Sequence, residues 1–373
     1  MFCGLTLRYR KTIHYKAAAA CGVSYKISVR KVTIEGRTKA AFDWYRQRAS
    51  ELDNEMLGNG GKLPRHELWR RQYYEYPYLL LESNETVLER FADIFTNCLD
   101  ISADGKITTT PMLENNARLA QYFTEVIEET NWRGILNKAS MQPAFIQVNE
   151  YYKDGTPLGV EMFKALPLKQ EQCLYKFSES GFVREMHKTG RFRISPASYY
   201  SKGSHIKAVK DLETERNYRL KAINEVMQGI SSIEVEGNTL EIINGIVPLC
   251  VVIKDYFLFS TCNELSRRMP TDFEANAVLI IKDKREFLGR LENELLMSYP
   301  GWEFLERDVY YYDTYNDHPR DQNQEFYKHI SYAYQREHRC ILRPKRTGIQ
   351  EDELKPFFVE LGSIEDIAEA LYI

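Results

Sequence analysis

The sequence lacks the features that mark several common classes of protein. Its seven cysteines are scattered over 373 residues, and no two of them are spaced as C-x-x-C. Such a set predicts neither a disulfide framework nor a zinc site and is typical of a protein in the reducing cytoplasm. No uninterrupted apolar run approaches the roughly 20 residues of a membrane-spanning helix, and nothing resembles a glycine-rich phosphate loop or a Ser-His-Asp set. We therefore expect a cytoplasmic protein with no membrane partner.

Two short stretches resemble metal sites only in part. DISADGK, residues 100–106, resembles the start of a calcium loop, but the downstream ligands of such a loop are missing. DTYNDHPRD, residues 313–321, offers three aspartates and one histidine at a spacing that matches no metal loop. We interpret the first stretch as a turn and the second as a solvated loop, and we predict no metal.

The charge is nearly balanced overall but is unevenly distributed along the chain. The formal net charge is -3, which does not by itself indicate a nucleic-acid-binding protein. Residues 1–50, however, contain eleven lysines and arginines against only Glu35 and Asp43. This basic stretch is typical either of a solvated tail or of a segment that contacts RNA, DNA or an acidic partner. Its lack of early acidic residues is also found in transit peptides.

Length and hydrophobic periodicity predict an α+β protein with more than one domain. A chain of 373 residues is too long for one typical core. After a basic arm over residues 1–36, apolar residues at helical spacing predict a helical domain over residues 37–140. Residues 141–170 are expected to form a connection or a small hairpin, with strands at AFIQVNEYY and LGVEMF. Residues 171–373 alternate short strands with single helices, among them a helix over residues 211–229 and a short acidic helix near the C-terminus.

Four short segments in the second half combine aromatic, basic and hydroxyl residues on predicted strands. They are YKFS at Tyr175 to Ser178, RFRISP at residues 191–196 followed by Tyr199 and Tyr200, FSTC at residues 259–262, and QRE at residues 335–337. The last segment lies within HISYAYQREHRCILRP, which we interpret as strand. Read with period two, this strand projects Gln335 and Glu337 side by side from one face.

In this order, the four segments resemble the motifs of the ADP-ribosyltransferase fold, the superfamily of NAD-using toxins and poly-ADP-ribose polymerases. YKFS is similar to the family's first motif, with Lys176 where the family has His or Arg. FSTC resembles its central Ser-Thr strand, and QRE resembles its glutamate strand. The F-x-x-S-P run and the ending Glu337-x-Arg339 also resemble a large group of uncharacterised bacterial proteins related to this fold. The resemblance covers residues 171–344 and implies a split β-sheet with flanking helices.

The resemblance implies a role for each of these residues in the transfer of ADP-ribose from NAD. Glu337 would stabilise an oxocarbenium-like transition state, and Gln335 would orient the nucleophile. Ser260 would hold the glutamate in its reactive rotamer. The remaining candidates would bind the co-substrate: Tyr175, Ser178, either Lys176 or Arg193 as the anchor of the diphosphate or adenosine ribose, and Tyr199 or Tyr200 stacked on nicotinamide. This chemistry requires no metal.

The family that these motifs resemble includes toxins of toxin–antitoxin and antiphage systems, which implies a mono-ADP-ribosyltransferase toxin. The basic front of the chain makes RNA, for instance mRNA, or DNA the expected acceptor, slightly ahead of protein. The Q-x-E form also favours a target other than an arginine side chain. The helical domain would bind the target, an antitoxin or a chaperone. Two alternatives stay open: a non-catalytic interaction protein that keeps the fold, and metal-free RNA cleavage by His329, Glu337, His338 and Arg339.

Overall fold

The computed structural model describes residues 27–28, 36–110, 116–168, 171–202, 208, 211–235, 238–319, 323–345 and 353–372. Most of the predicted basic arm, and Asp321 of the predicted solvated loop, lie outside the described residues. The described chain is a mixed α+β structure in which a helical N-terminal region precedes a sheet region. This confirms the α+β class and the order of the two regions. No described helix is long and apolar enough to cross a membrane.

Four helices form the first region and bury a shared apolar core. They are α1 (Gly36–Gly58), α2 (Arg65–Glu75), α3 (Asn84–Asn97) and α4 (Ala117–Arg133). The start of α3 is capped, because the Ser83 hydroxyl accepts a hydrogen bond from the backbone N–H of Thr86 at 3.2 Å. The end of α4 is set by Gly134, which takes a left-handed conformation with φ 65°.

Two further helices occupy the stretch where the sequence suggested a hairpin, so the predicted strands there are wrong. They are α5 (Gln142–Glu150) and α6 (Leu158–Met162). Tertiary contacts fix both: the Tyr151 hydroxyl donates to Asp272 at 2.8 Å, and Phe163, just after α6, is fully buried. Gly159 lies so close to Arg267 that a Cβ atom would be 2.1 Å from its carbonyl oxygen. Packing therefore decides the structure of a segment whose short apolar runs fit either helix or strand.

The sheet region consists of short strands with a few intervening helices. Its helices are α7 (Ser180–Thr189), α8 (Ile223–Met227), α9 (Met269–Asp272) and α10 (Lys284–Ser298). The strands of the described chain are β1 (Ile27–Ser28), β2 (Leu99–Ile101), β3 (Ile107–Thr109), β4 (Leu174–Ser178), β5 (Arg191–Pro196), β6 (Glu215–Lys221), β7 (Ser232–Val235), β8 (Asn238–Glu241), β9 (Ile246–Val252), β10 (Phe257–Cys262), β11 (Ala277–Ile281), β12 (Trp302–Asp308), β13 (Tyr310–Tyr312), β14 (Tyr327–His329), β15 (Glu337–Pro344), β16 (Phe357–Glu360) and β17 (Ala368–Tyr372).

The main sheet divides along one edge of β10. Its order is β12-β15-β10-β4-β11-β17, and neighbouring strands are antiparallel. β15 pairs along the full length of β10. On the opposite edge, the last residue of β10 pairs with β4, whereas its first two residues pair with β5, which in turn pairs with β16. The two arms of the sheet therefore separate beside residues 259–261, and this fork is where the candidate site lies.

Apolar residues cover both faces of the main sheet. On one face, Val183 of α7 and Phe287 of α10 pack against Phe259 and Leu279. On the other face, Phe163 packs with Val278 and neighbouring residues. All five residues of β11 are buried, as expected for a central strand with both faces covered.

The predicted secondary structure of the sheet region is wrong at three places. The helix expected over residues 211–229 is instead β6 followed by α8, because every residue of β6 pairs with β9. The acidic helix expected near the C-terminus is replaced by β17, which extends the sheet beside β11. The strand expected through Gln335 begins only at Glu337, and Ile330–Gln335 form a 3-10 helix. Period two therefore does not explain how Gln335 and Glu337 are placed.

Contacts from the N-terminal helices hold this 3-10 helix in position. Ile330 and Ala333 are buried in the apolar core of the helical region. The side chain of Asn97 donates to the Ser331 carbonyl at 3.1 Å and accepts from the Tyr334 backbone N–H at 2.7 Å. The helical region thus determines where the chain enters β15.

Candidate active site

Glu337 is the first residue of β15 and lies at the fork of the sheet. Arg336, just before it, has φ 48°, a left-handed conformation that ends the 3-10 helix and turns the chain into the strand. The backbone N–H of Glu337 donates to the Tyr311 hydroxyl at 2.8 Å. Glu337 is only 4% exposed, so its carboxylate depends on protein groups rather than on water.

Both oxygens of the Glu337 carboxylate accept hydrogen bonds. Oε1 accepts from Ser260 Oγ at 2.6 Å and from Arg339 Nε at 2.8 Å. Oε2 accepts from Lys328 Nζ at 2.9 Å, and the same ammonium donates to Gln335 Oε1 at 3.0 Å. Gln335 and Glu337 therefore meet at one lysine, although they do not share a strand.

A second layer of charged residues surrounds these contacts. Arg339 donates two parallel hydrogen bonds to the Glu213 carboxylate, both at 2.9 Å. This bidentate arrangement fixes the plane of the guanidinium relative to the plane of the carboxylate. Arg216 donates to Glu213 at 3.2 Å. Lys328 Nζ lies 3.6 Å from a Glu213 oxygen and 3.8 Å from Asp211 Oδ2. We call this set the charge cluster; it consists of three carboxylates (Glu337, Glu213 and Asp211) and three cations (Lys328, Arg216 and Arg339).

The charge cluster separates the pKa values of its acids. Burial alone would raise the pKa of Glu337, but Arg339 and Lys328 hold it well below the usual range. Burial and the neighbouring Glu213 charge raise the pKa of Asp211 to about 7. At neutral pH, Glu337 is thus ionised and suited to stabilise a developing positive charge, whereas Asp211 titrates close to that pH.

A cavity of about 370 Å³ opens at the fork, beside this carboxylate. This volume is within the usual range for small-molecule sites, about 300–1,000 Å³. Its lining includes six residues named from the sequence, which come from β4, β10, the turn after β5 and the segment before β15: Tyr175, Lys176, Ser178, Tyr200, Ser260 and Gln335, beside Glu337. The structure therefore brings these candidates together around one cavity.

Lys176 contributes to the fork itself. Its Nζ donates to the Ser260 carbonyl at 2.7 Å, at a point where β10 pairs with neither arm of the sheet. It also lies 4.9 Å from the centre of the Phe259 ring. Burial lowers the pKa of Lys176. Burial raises the pKa of Tyr200, another residue of the lining, to about 12, so this phenol stays neutral and offers an apolar ring with a hydroxyl.

Arg193 and Tyr199, two other sequence candidates, do not contribute to the cavity lining. Arg193 is exposed because its neighbours on β5, Phe192 and Ile194, are buried in the core. Its guanidinium lies 4.6 Å from the centre of the Tyr199 ring. The Tyr199 ring meets the Tyr200 ring edge-on at 5.6 Å. Both residues thus lie behind Tyr200, and of the two proposed basic anchors only Lys176 contributes to the wall.

Sequence reasoning missed Lys328 and Glu213 and gave Arg339 only a minor role. Lys328 is 5% exposed and Arg339 is fully buried. Glu213 lies at the start of the helix expected over residues 211–229, where the structure has β6 followed by α8. For Arg339 the sequence did carry a signal: it lies two residues after Glu337 on a strand, and period two directs both side chains to the same face. For Lys328 and Glu213 no local pattern in the sequence gave such a signal.

Neither histidine of the RNA-cleavage alternative contributes to the lining of this cavity. His329 contacts Ser331 at 2.8 Å and Thr314 at 3.0 Å on the helical side. His338 lies on the opposite face of β15, where its Nδ1 is 2.7 Å from Asp308. Only Glu337 and Arg339 of that set belong to the site. Among the described residues, no group of three or more potential ligands is arranged to hold a metal.

Comparison of the chain with protein-family models, curated proteins and solved structures finds no match. Similarity therefore does not show the family of this chain.

Proposed function

We propose that the chain is an NAD-dependent mono-ADP-ribosyltransferase whose reaction takes place in the cavity at the fork. The bond between the nicotinamide nitrogen and the ribose carbon breaks, and its electron pair leaves with nicotinamide. A bond forms from the same ribose carbon to an acceptor nucleophile, which loses a proton. The ribose carbon is positively charged in the transition state, and a fixed carboxylate beside it is the group that the chemistry requires.

The observation that carries this proposal is the environment of Glu337. It is a carboxylate with a strongly lowered pKa, held by a hydroxyl and two cations at the wall of a cavity of about 370 Å³. Electrostatic stabilisation of a cation needs a buried ionised group in a fixed orientation. Such a group is already oriented before the reaction, so it does not have to reorganise in the transition state. Gln335, whose side-chain oxygen accepts a hydrogen bond from the same ammonium, would orient the acceptor.

The wall of the cavity also suits the co-substrate. Lys176 supplies a positive charge that favours a diphosphate, as a point charge rather than a bidentate fork. Tyr200 supplies a ring for stacking on nicotinamide. The Ser260 hydroxyl, which donates to Glu337, can also accept a hydrogen bond from a ribose hydroxyl. We propose a macromolecular acceptor, nucleic acid or protein, and a toxin setting in the cytoplasm in which the helical region binds the target, an antitoxin or a chaperone.

The test uses NAD labelled in its adenylate phosphate. The full chain is incubated with separate RNA, DNA and protein fractions of a cell lysate, beside Glu337→Gln. A matched control is Glu360→Gln, an exposed residue of β16. We expect one fraction to be labelled by wild type and by the control, and not by Glu337→Gln. Label in no fraction would refute transferase activity, and equal labelling by Glu337→Gln would refute the role of Glu337.

A non-catalytic interaction protein is the second candidate, and one observation favours it. Ser260, Arg339 and Lys328 together engage both oxygens of Glu337, as in a purely structural ion cluster. In that case neither NAD binding nor NAD cleavage will be measurable, while wild type and Glu337→Gln will differ in stability. Calorimetric titration with NAD separates the two candidates.

A further inference from the structure

Arg336 lies between Gln335 and Glu337 and has a backbone conformation that arginine rarely adopts. Its φ is 48° and its ψ is 51°, in the left-handed region that glycine enters freely and that a Cβ atom disfavours. Through this turn, the last residue of the 3-10 helix and the first residue of β15 both reach the ammonium of Lys328, at 3.0 and 2.9 Å. An unfavourable backbone conformation persists only where the surrounding structure holds it.

The contacts of Arg336 hold this turn from two sides. Its guanidinium forms an ion pair with Glu264 through Nη1, and Nη2 donates to the Thr110 hydroxyl at 3.1 Å. Its backbone carbonyl accepts from the N–H of Asn263 at 2.9 Å. Glu264 lies two residues after β10, and Thr110 lies directly after β3. The turn is therefore tied both to the sheet and to the helical region.

The partners of Arg336 are themselves fixed. Thr110 is buried, and its backbone N–H donates to the Cys98 carbonyl at 2.9 Å. Two residues after Glu264, the Ser266 hydroxyl donates to Asp100 of β2 at 2.6 Å. A turn in an unfavourable conformation needs such rigid support to stay in place.

The guanidinium of Arg336 is not part of the wall that would meet NAD. Arg336 does not contribute to the lining of the Glu337 cavity, and Glu264 already matches its charge. Its influence on the site therefore runs through the chain, because a rotation of the backbone at residue 336 moves the residues on either side.

We propose that Arg336 is a positioning residue: its contacts with Glu264 and Thr110 hold the left-handed turn, and the turn brings Gln335 and Glu337 to one lysine. The inference rests on the proposed transferase function for its chemical meaning. A misplacement of about 1 Å in an active site can cost about 100-fold in rate. Loss of this anchor should therefore affect catalysis more than the binding of NAD.

Two variants remove the anchor from opposite ends. Arg336→Ala removes the guanidinium, and Glu264→Gln removes its charged partner without altering the residue of the turn. The control is Asn244→Ala, at an exposed residue between β8 and β9 that also has a left-handed backbone, with φ 50°, and that does not line the Glu337 cavity. For each variant, kcat and the KM for NAD are measured from nicotinamide release in the presence of the accepting lysate fraction.

We expect Arg336→Ala to lower kcat about 10- to 100-fold and Glu264→Gln to lower it at least about fivefold, with the KM for NAD changing less than about threefold. Asn244→Ala should keep kcat within about twofold of wild type. A wild-type kcat in the two anchor variants, or an equal loss in Asn244→Ala, overturns the proposal.

A second measurement needs no enzymatic activity. Each anchor variant is combined with Glu337→Gln, and the equilibrium constant of unfolding is measured by urea denaturation without NAD. If the turn holds Glu337 in the charge cluster, Glu337→Gln will change this constant about tenfold less in an anchor variant than in the wild type. The same effect in both backgrounds, within about twofold, overturns the proposal.

The two measurements separate this inference from the proposed function. A reduced effect of Glu337→Gln in the anchor variants, without nicotinamide release by the wild type, leaves the positioning role standing while the proposed function fails. Nicotinamide release by the wild type together with equal effects of Glu337→Gln in both backgrounds does the reverse.

Discussion

Replacing Lys328 by methionine removes the buried ammonium that contacts the Glu337 carboxylate. This ammonium lies 2.9 Å from Glu337 and 3.6 Å from Glu213. At an effective dielectric constant of about 20, each contact is worth roughly 5 kcal/mol of Coulomb energy. Much of this is offset by desolvation of the lysine itself. Removing one partner of a buried pair nevertheless leaves the other charge uncompensated, which typically costs about 3–5 kcal/mol.

We therefore expect Lys328→Met to lower the free energy of unfolding by about 3–5 kcal/mol, measured by urea denaturation at pH 7. The control is Lys282→Met, which removes an exposed ion pair with Glu369 and should change the unfolding free energy by less than about 1 kcal/mol. A Lys328→Met variant as stable as the control would contradict the described charge cluster.

Three further predictions concern the same fold and site. Ser260→Ala removes a hydrogen bond of 2.6 Å to Glu337, so the rate of label transfer from NAD should fall about 10- to 100-fold. The affinity for NAD, measured by calorimetry, should change less. An unchanged rate would show that this hydroxyl does not position the carboxylate. The pKa of Asp211 is about 7 in the folded state and about 3.9 in the unfolded state, so its contribution to stability falls as pH rises through that range. Urea denaturation at several pH values should therefore show that the unfolding free energy of Asp211→Asn increases relative to wild type between pH 4 and pH 7. A difference that stays constant over this range would argue against the raised pKa. Gly159→Ala would place a Cβ 2.1 Å from a backbone carbonyl oxygen and should lower the free energy of unfolding by more than about 2 kcal/mol in urea denaturation. The control Gly289→Ala, in an open position of α10, should raise it by about 0.4–1 kcal/mol. Equal effects of the two substitutions would contradict the close approach at Gly159.

Local sequence patterns predicted much of the sheet region because its strands are bounded by turn residues. YKFS and FSTC are strands where expected, and α7 ends at Gly190, whose φ is 62°. The helix expected over residues 211–229 failed because charged residues at helical spacing also fit an amphipathic strand. Pairing with β9, distant in sequence, decided between the two.

The candidate site was only partly predictable for a related reason. Glu337, Ser260 and Gln335 lie in short motifs that a sequence can display, and the structure groups them around one cavity. Lys328 and Glu213 reach the site from segments with no such motif. Lys328 is positioned by the pairing of β14 with β13, and Glu213 lies two residues before β6, which pairs with β9. Such long-range packing leaves no local periodicity to read.

The role that we propose for Glu337 is to stabilise the positive charge that forms as NAD is cleaved. Its most direct test is the initial rate of nicotinamide release in the presence of the lysate fraction that accepts the label. We expect Glu337→Gln to lower this rate by at least about 100-fold, with Glu337→Asp intermediate and with folded state and NAD affinity checked by circular dichroism and calorimetry. Nicotinamide release by a folded Glu337→Gln variant at the wild-type rate would contradict the account.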